Sequence, residues 1–166
     1  MDVNDLLLEL GGRLPGLVRG AVDGLDEGQL TWAPAAGANP IAWLVWHLAR
    51  VEDHQVCEVA GTEQRYVVDG WHERFGRPPD EHDHGYGHTA ADVAMVRGTA
   101  VDLLAYHDVV HHRMMAFLGS LRAPDLDRVV DEHWDPPVTL GVRLVSVVDD
   151  CVQHAGQAAY VRGLLT

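Results

Sequence analysis

Four long stretches of this chain repeat their apolar residues at the three- and four-residue spacing of an α-helix, and no stretch of comparable length alternates as a strand does. The first runs from about Val3 to Leu25, with Leu6, Leu7, Leu10, Leu14, Leu17, Val18 and Val22 as its apolar face. Gly11, Gly12 and Pro15 fall inside it and are expected to bend or interrupt it. The second opens at Asn39-Pro40, an N-cap followed by a residue suited to the first helical position, and runs to about Ala60, where Gly61 can stop it. The third starts at Thr89, with Asp92 as a shorter stand-in for the glutamate of a capping box, and reaches about Leu121. The fourth, capped by Thr139, runs from Leu140 to about Leu164 and turns Leu144, Val147, Val148, Cys151, Ala155, Ala158 and Val161 inward. Four amphipathic helices in 166 residues are expected to bury their faces against one another, giving one all-α, four-helix-bundle domain over residues 1–166.

The connections carry the remaining sequence signals. Residues 26–38 form a Gly- and Pro-containing link, and RAPDLDRVVDEHWDPPVTLG joins the third helix to the fourth. Between helices two and three lies a long irregular stretch, Thr62 to His88, containing RPPDEHDHGYGH. A loop of that length in a compact domain is expected to be functional or mobile. A mobile loop would make His82, His84 and His88 a poor preformed metal site.

Charge removes several functions. The net charge is −13, and all twelve basic residues are Arg. Such a chain lacks the clustered cations that a phosphate backbone requires, so no nucleic-acid partner is expected. With no Lys, Schiff-base chemistry is excluded. The Arg bias, with abundant Ala, Val, Gly and Asp, fits a GC-rich bacterial genome. No apolar stretch approaches the roughly 20 residues of a membrane span, and the acidic start does not resemble a signal peptide, so a cytoplasmic protein is expected. Cys57 and Cys151 fall on helical apolar stripes and are expected to be buried, reduced thiols. Eleven histidines are the one compositional pointer to metal chemistry.

Three residues stand out among the ligand types. Asp150 and His154 are four apart on the fourth helix, so their side chains emerge one turn apart on the same side. Asp150 borders the apolar stripe, where an unpaired carboxylate is costly. A salt bridge to an Arg such as Arg50 would neutralise it, and so would a cation shared with His154. His47, flanked by Leu44, Leu48 and Val51 on the second helix, would complete an open two-His, one-carboxylate set if the two helices pack. His54 is seven residues from His47, about 10 Å along the axis, and cannot share its ion. His107, His111 and His112 lie on the third helix, and one of them is expected to face the interior.

At WLVWHLARVEDH and VTLGVRLVSVVDDCVQHAGQAAYVRGLL the chain resembles the DinB-like superfamily. It is most similar to the actinobacterial branch that includes mycothiol-dependent maleylpyruvate isomerase and mycothiol S-transferases. The resemblance covers nearly the whole chain, and its most specific parts are HL on helix two and HAGQ on helix four. It implies an up-up-down-down four-helix bundle with a long crossover, with a metal held between helices two and four. It assigns His47 and His154 as ligands. The position four before His154 is His in many members and Glu in the mycothiol-linked branch; here it is Asp150, one methylene shorter than Glu. Branch members often carry an acidic residue five positions after the last ligand, where Ala159 stands here.

The resemblance also implies the chemistry. A divalent metal, zinc first and nickel, iron or manganese as alternatives, would bind mycothiol or a similar low-molecular-weight thiol and direct it at a small electrophile. The expected activity is therefore a metal-dependent thiol S-transferase. A mycothiol-dependent cis–trans isomerase of a small unsaturated acid and a non-catalytic metal-binding bundle are the alternatives. Arg50, Tyr160 and Arg162 are candidate thiol-cofactor contacts, and Trp43, Trp46, Trp71 and Trp134 are candidate walls of an apolar pocket. Bundles of this kind often dimerise, so a homodimer is an admissible assembly.

Overall fold

The computed structural model describes residues 3–165; Met1, Asp2 and Thr166 lie outside the described residues. The expected first helix is two helices, α1 (Val3–Gly11) and α2 (Leu14–Val22), with Pro15 in the opening turn of α2. The interruption changes the helical phase. Leu14, Val18, Ala21 and Val22 face the core, whereas Leu6, Leu10 and Leu17, expected on the same buried face, are exposed. A short α3 (Glu27–Thr31) follows, opened by a capping box between Asp26 and Gln29.

The second bundle helix, α4 (Ile41–Ala60), ends at Gly61 as expected, but Pro40 rather than Asn39 occupies its N-cap. The Pro40 carbonyl accepts the first helical hydrogen bond, from Leu44 N at 3.0 Å. Every residue of α4 from Ile41 to Asp53 is buried, so this helix is the central post of the bundle rather than an amphipathic face. It packs on the two other long helices, α8 (Ala100–Ser120) and α9 (Leu140–Gly163), and α2 packs on the same two.

The third helix departs from expectation. The Thr89–Asp92 capping box does open a helix, α7 (Ala90–Met95), but the chain breaks before α8 starts at Ala100. Two local features cause the break. Thr99 and Asp102 form a second capping box, and a Cβ on Gly98 would lie 2.9 Å from the Phe75 ring, so the backbone passes too close for any side chain there. The connection to α9 is a short 3-10 turn (Ala123–Asp127) and an antiparallel pair of short strands, β1 (Val129–Asp131) and β2 (Val138–Thr139). Thr139 caps α9, and its expected inward residues are all buried. Among the described residues, no helix is long and apolar enough to cross a membrane.

The stretch after α4, expected from its length to be functional or mobile, makes specific contacts with α4. It contains two single-turn helices, α5 (Arg65–Val68) and α6 (Trp71–Arg74), and is fastened to α4 by two buried polar residues. Arg50 donates to the carbonyls of Asp83 at 2.8 Å and Glu81 at 2.9 Å and to Gln64 Oε1 at 2.9 Å, with its guanidinium over the Tyr66 ring. Asp53 accepts from the backbone of Arg65 and Tyr66 and from the Tyr106 hydroxyl. Further along, Arg77 and Asp83 form a buried pair at 2.8 Å, with His88 on the other Asp83 oxygen.

Candidate metal centre

His47 projects from α4 toward α9, where Asp150 and His154 lie one turn apart. Their donor atoms converge: His47 Nε2 is 3.7 Å from Asp150 Oδ2, and His154 Nε2 is 3.5 Å from Asp150 Oδ1. The His47 and His154 rings meet edge to face with centroids 4.6 Å apart. These N···O separations exceed a normal hydrogen bond. They resemble the spacing of about 3.3 Å between ligands that share one tetrahedral ion at 2.0–2.1 Å. Asp150 Oδ2 is buried with no hydrogen-bond partner.

Each imidazole is held from behind. His47 Nδ1 donates to the carbonyl of His84, and His154 Nδ1 donates to Gln157 Oε1 at 2.9 Å. A carbonyl oxygen can only accept, so these contacts place the hydrogen on Nδ1 in the neutral ring and leave the Nε2 lone pair free. Both free lone pairs point at the Asp150 carboxylate. Metal-binding histidines commonly use their second nitrogen in this way. The Gln of HAGQ thus has a physical task.

Electrostatics agree with the geometry. Burial opposes charge on Asp150, but the attraction of the His154 and His47 rings outweighs it and holds the carboxyl far below its ordinary range. Burial likewise works against charge on His154, yet Asp150 beside it raises the imidazole above its ordinary value.

The loop that Arg50 fastens forms the roof. Gly85, at φ +98°, lies so close to α4 that a Cβ would stand 2.8 Å from His47 Nδ1 and 3.0 Å from the Trp43 ring. Trp43 stacks flat on His47 with centroids 4.7 Å apart and donates through Nε1 to His88 Nδ1 at 3.1 Å. A cleft of about 170 Å³ opens beside the triad, walled by His47, Val51, Gln55, His84, Tyr86 and Asp150. The cleft leaves room for a small ligand at the open side of the centre.

The remaining sequence candidates lie elsewhere. Arg50 is fully buried and clasps the loop; it makes no salt bridge to Asp150. Tyr160 is exposed, six residues and about 9 Å along the axis from His154. Arg162 donates to the carbonyl of Asp23 at the end of α2. Trp46 and Trp71 are core residues, and Trp134 is exposed on the strand connection. His54 lies under the loop, its ring beside His84. Both cysteines are buried, free thiols. Sequence reasoning missed the Gly85 and His84 roof, the Tyr86 wall, and Glu52, which is buried against His107 and His111.

A family model for mycothiol S-transferases matches residues 16–166 of the chain. The chain belongs to the mycothiol S-transferase family. It is also similar to a conserved protein of Enterococcus faecalis whose crystal structure is known, with a TM-score of 0.91 and 30% identity over 99% of this chain and 98% of that one. No curated protein matches the sequence. Membership agrees with the all-α, DinB-like fold expected from HL and HAGQ. It makes transferase chemistry involving mycothiol the family's expectation for this chain.

Proposed function

We propose that the chain is a metal-dependent thiol S-transferase in which His47, Asp150 and His154 hold one divalent ion, zinc first, and mycothiol or a similar low-molecular-weight thiol attacks a small electrophile. The observation that carries this reading is the pair of imidazoles whose Nδ1 hydrogens are fixed by carbonyl oxygens, so that both Nε2 lone pairs converge on one carboxylate. The donor set fits the ion: two neutral nitrogens and one anionic oxygen at ligand-like separations, open on one side to a cleft. His47, Asp150 and His154 would hold a divalent ion here, and that ion would supply Lewis-acid chemistry able to lower the pKa of a thiol that ordinarily titrates at about 8.5.

The protein's own groups do the rest. His84 and Gln157 fix the tautomer and the aim of the two imidazoles. Asp150 contributes one negative charge, so the centre stays net cationic and attracts an anionic sulfur. Val51, Gln55 and Tyr86 flank the space in which a small electrophile would lie beside it. Burial raises the Cys57 and Cys151 thiols, so neither supplies the nucleophile and the sulfur comes from a dissociable thiol. Two buried, unpaired cysteines also suit a reducing cytoplasm, where we place the protein.

The test is thiol-dependent loss of a chromogenic electrophile by protein stripped with a chelator and reloaded with zinc. Turnover is expected to require both mycothiol and the metal, and His154→Ala is expected to lose the ion of this centre and, with it, turnover. Full metal content with full turnover in His47→Ala would refute the assignment. Isomerisation of maleylpyruvate by mycothiol, without net conjugation of any electrophile, would transfer the site to the isomerase reading.

A further inference from the structure

Deep between α4 and α8 lies a second group of ligand-type side chains that the proposed transferase centre does not use. Glu52 projects from α4, and His107 and His111 stand one turn apart on α8. Their side chains are 0%, 1% and 8% exposed. The two imidazoles stack with centroids 5.1 Å apart and planes within 19° of parallel. Glu52 Oε1 is 3.2 Å from His111 Nδ1 and 3.8 Å from His107 Nε2, and one donor atom from each residue lies within 4.8 Å of the others.

The protein alone does not satisfy these groups. Glu52 Oε2 and both ring nitrogens of His107 are buried with no hydrogen-bond partner. Buried polar atoms are ordinarily paired, and each orphan is costly. A Glu52–His111 ion pair would account for one oxygen and one imidazole, leaving His107 and the second carboxylate oxygen unexplained. A single cation engages all three residues at once. Ligands on one tetrahedral ion at 2.0–2.1 Å lie about 3.3 Å apart, which the 3.2 and 3.8 Å separations bracket.

We infer that Glu52, His107 and His111 form a second, structural metal site that takes a divalent transition ion such as zinc. The site is distinct from the first. Glu52 is five residues beyond His47, about 7.5 Å along α4, whereas the ions of a two-metal catalytic centre sit about 3.5–4 Å apart. Its near-complete burial excludes substrate and makes its task the tying of α4 to α8, so that the helix carrying His47 is held in register. An ion enclosed this way is acquired as the chain folds.

The experiment refolds the full chain from denaturant in excess zinc, removes free ion by desalting, and counts bound zinc by elemental analysis. Wild type is expected to retain two equivalents per chain, His154→Ala one, and His154→Ala with Glu52→Gln none. One equivalent in wild type and in His154→Ala, lost in Glu52→Gln, would keep this site and remove the first. One equivalent in wild type with none in His154→Ala would overturn the inference, as would an equivalent that survives Glu52→Gln in the His154→Ala background. If the Glu52→Gln protein does not fold, the imidazole resonances of His154→Ala decide. Those of His107 and His111 are expected to shift between zinc-refolded and chelator-refolded protein, and unchanged resonances would overturn the site.

Discussion

Gly85→Ala tests the roof over the candidate metal centre without replacing a proposed ligand. The new Cβ would stand 2.8 Å from His47 Nδ1, 3.0 Å from Trp43 and 3.1 Å from Trp46. Overpacking of that kind costs about 1–3 kcal/mol. The backbone at φ +98° adds about 1–3 kcal/mol for an L side chain. His47, Trp43 and Trp46 are on the buried post of the bundle and cannot retreat, so the loop must move. Moving it withdraws the His84 carbonyl from His47 Nδ1 and releases the ring's tautomer and orientation. Loss of such a supporting hydrogen bond lowers metal affinity by about 10–100-fold, or roughly 1.4–2.8 kcal/mol. Gly87→Ala is the control, because Gly87 has φ +78° but no atom within 4 Å of the added Cβ. It carries the backbone strain without the clash. Competition with a chromogenic chelator would measure zinc affinity for both variants. The reasoning fails if Gly85→Ala binds zinc within threefold of wild type, or if Gly87→Ala weakens binding equally.

Three further outcomes follow from the same geometry. Asp150→Glu, which keeps the charge and adds one methylene, is expected to keep one zinc at this centre, whereas Asp150→Asn, which removes the charge, should weaken binding more than about 100-fold; equilibrium dialysis separates them. Arg50→Met removes the cation from buried Asp53 and unfastens the loop, so the metal-free protein should lose about 3–5 kcal/mol in a denaturant titration. Burial pushes the His84 imidazole down to about 4 from its ordinary 6.5, with His54, His47 and Arg50 adding to the shift. The folded value is below the unfolded one, so this contribution to stability is whole above pH 6.5 and is lost as pH falls toward 4. His84→Asn should therefore show a smaller drop in denaturation midpoint between pH 7 and pH 4 than wild type, and equal drops would count against the assignment.

The bundle was legible because its signal is periodic. Helical spacing placed α4, α9 and the end of α8 within a residue or two, and Gly61 and Thr139 marked real ends. Where glycine and a cap competed with that spacing, local chemistry prevailed: Thr99 and Asp102 repeat the Thr89 and Asp92 pattern, and with Gly98 they divide the expected third helix. His47, Asp150 and His154 were legible as ligand types, and the resemblance at HL and HAGQ joined them. The roof was not legible, because its anchor, Arg50, bonds partners 14 to 56 positions away, and no local spacing encodes such pairs. A charged residue inside the continuously apolar WLVWHLARV was nevertheless a usable signal. Such a cation is rarely buried without partners that fix another segment.

Four polar residues radiate from the buried part of α4, and their helical phases explain why one helix organises the whole site. At 100° per residue, His47, Arg50, Glu52 and Asp53 point in four different directions. His47 meets α9, Glu52 meets α8, Asp53 meets α5 and Tyr106, and Arg50 meets the loop. An amphipathic helix would have turned at least one of these groups to water, where it would constrain nothing. Because this helix has no solvated face over that span, each polar group must find a protein or ligand partner, and each partner fixes a different element against the post. Arg50 and His47 hold adjacent carbonyls, those of Asp83 and His84, so the contact that fastens the loop also sets the roof on the His47 ring. Asp150 faces the same post from α9 with one oxygen unpaired. The fold therefore positions the candidate metal centre through the polar residues it buries.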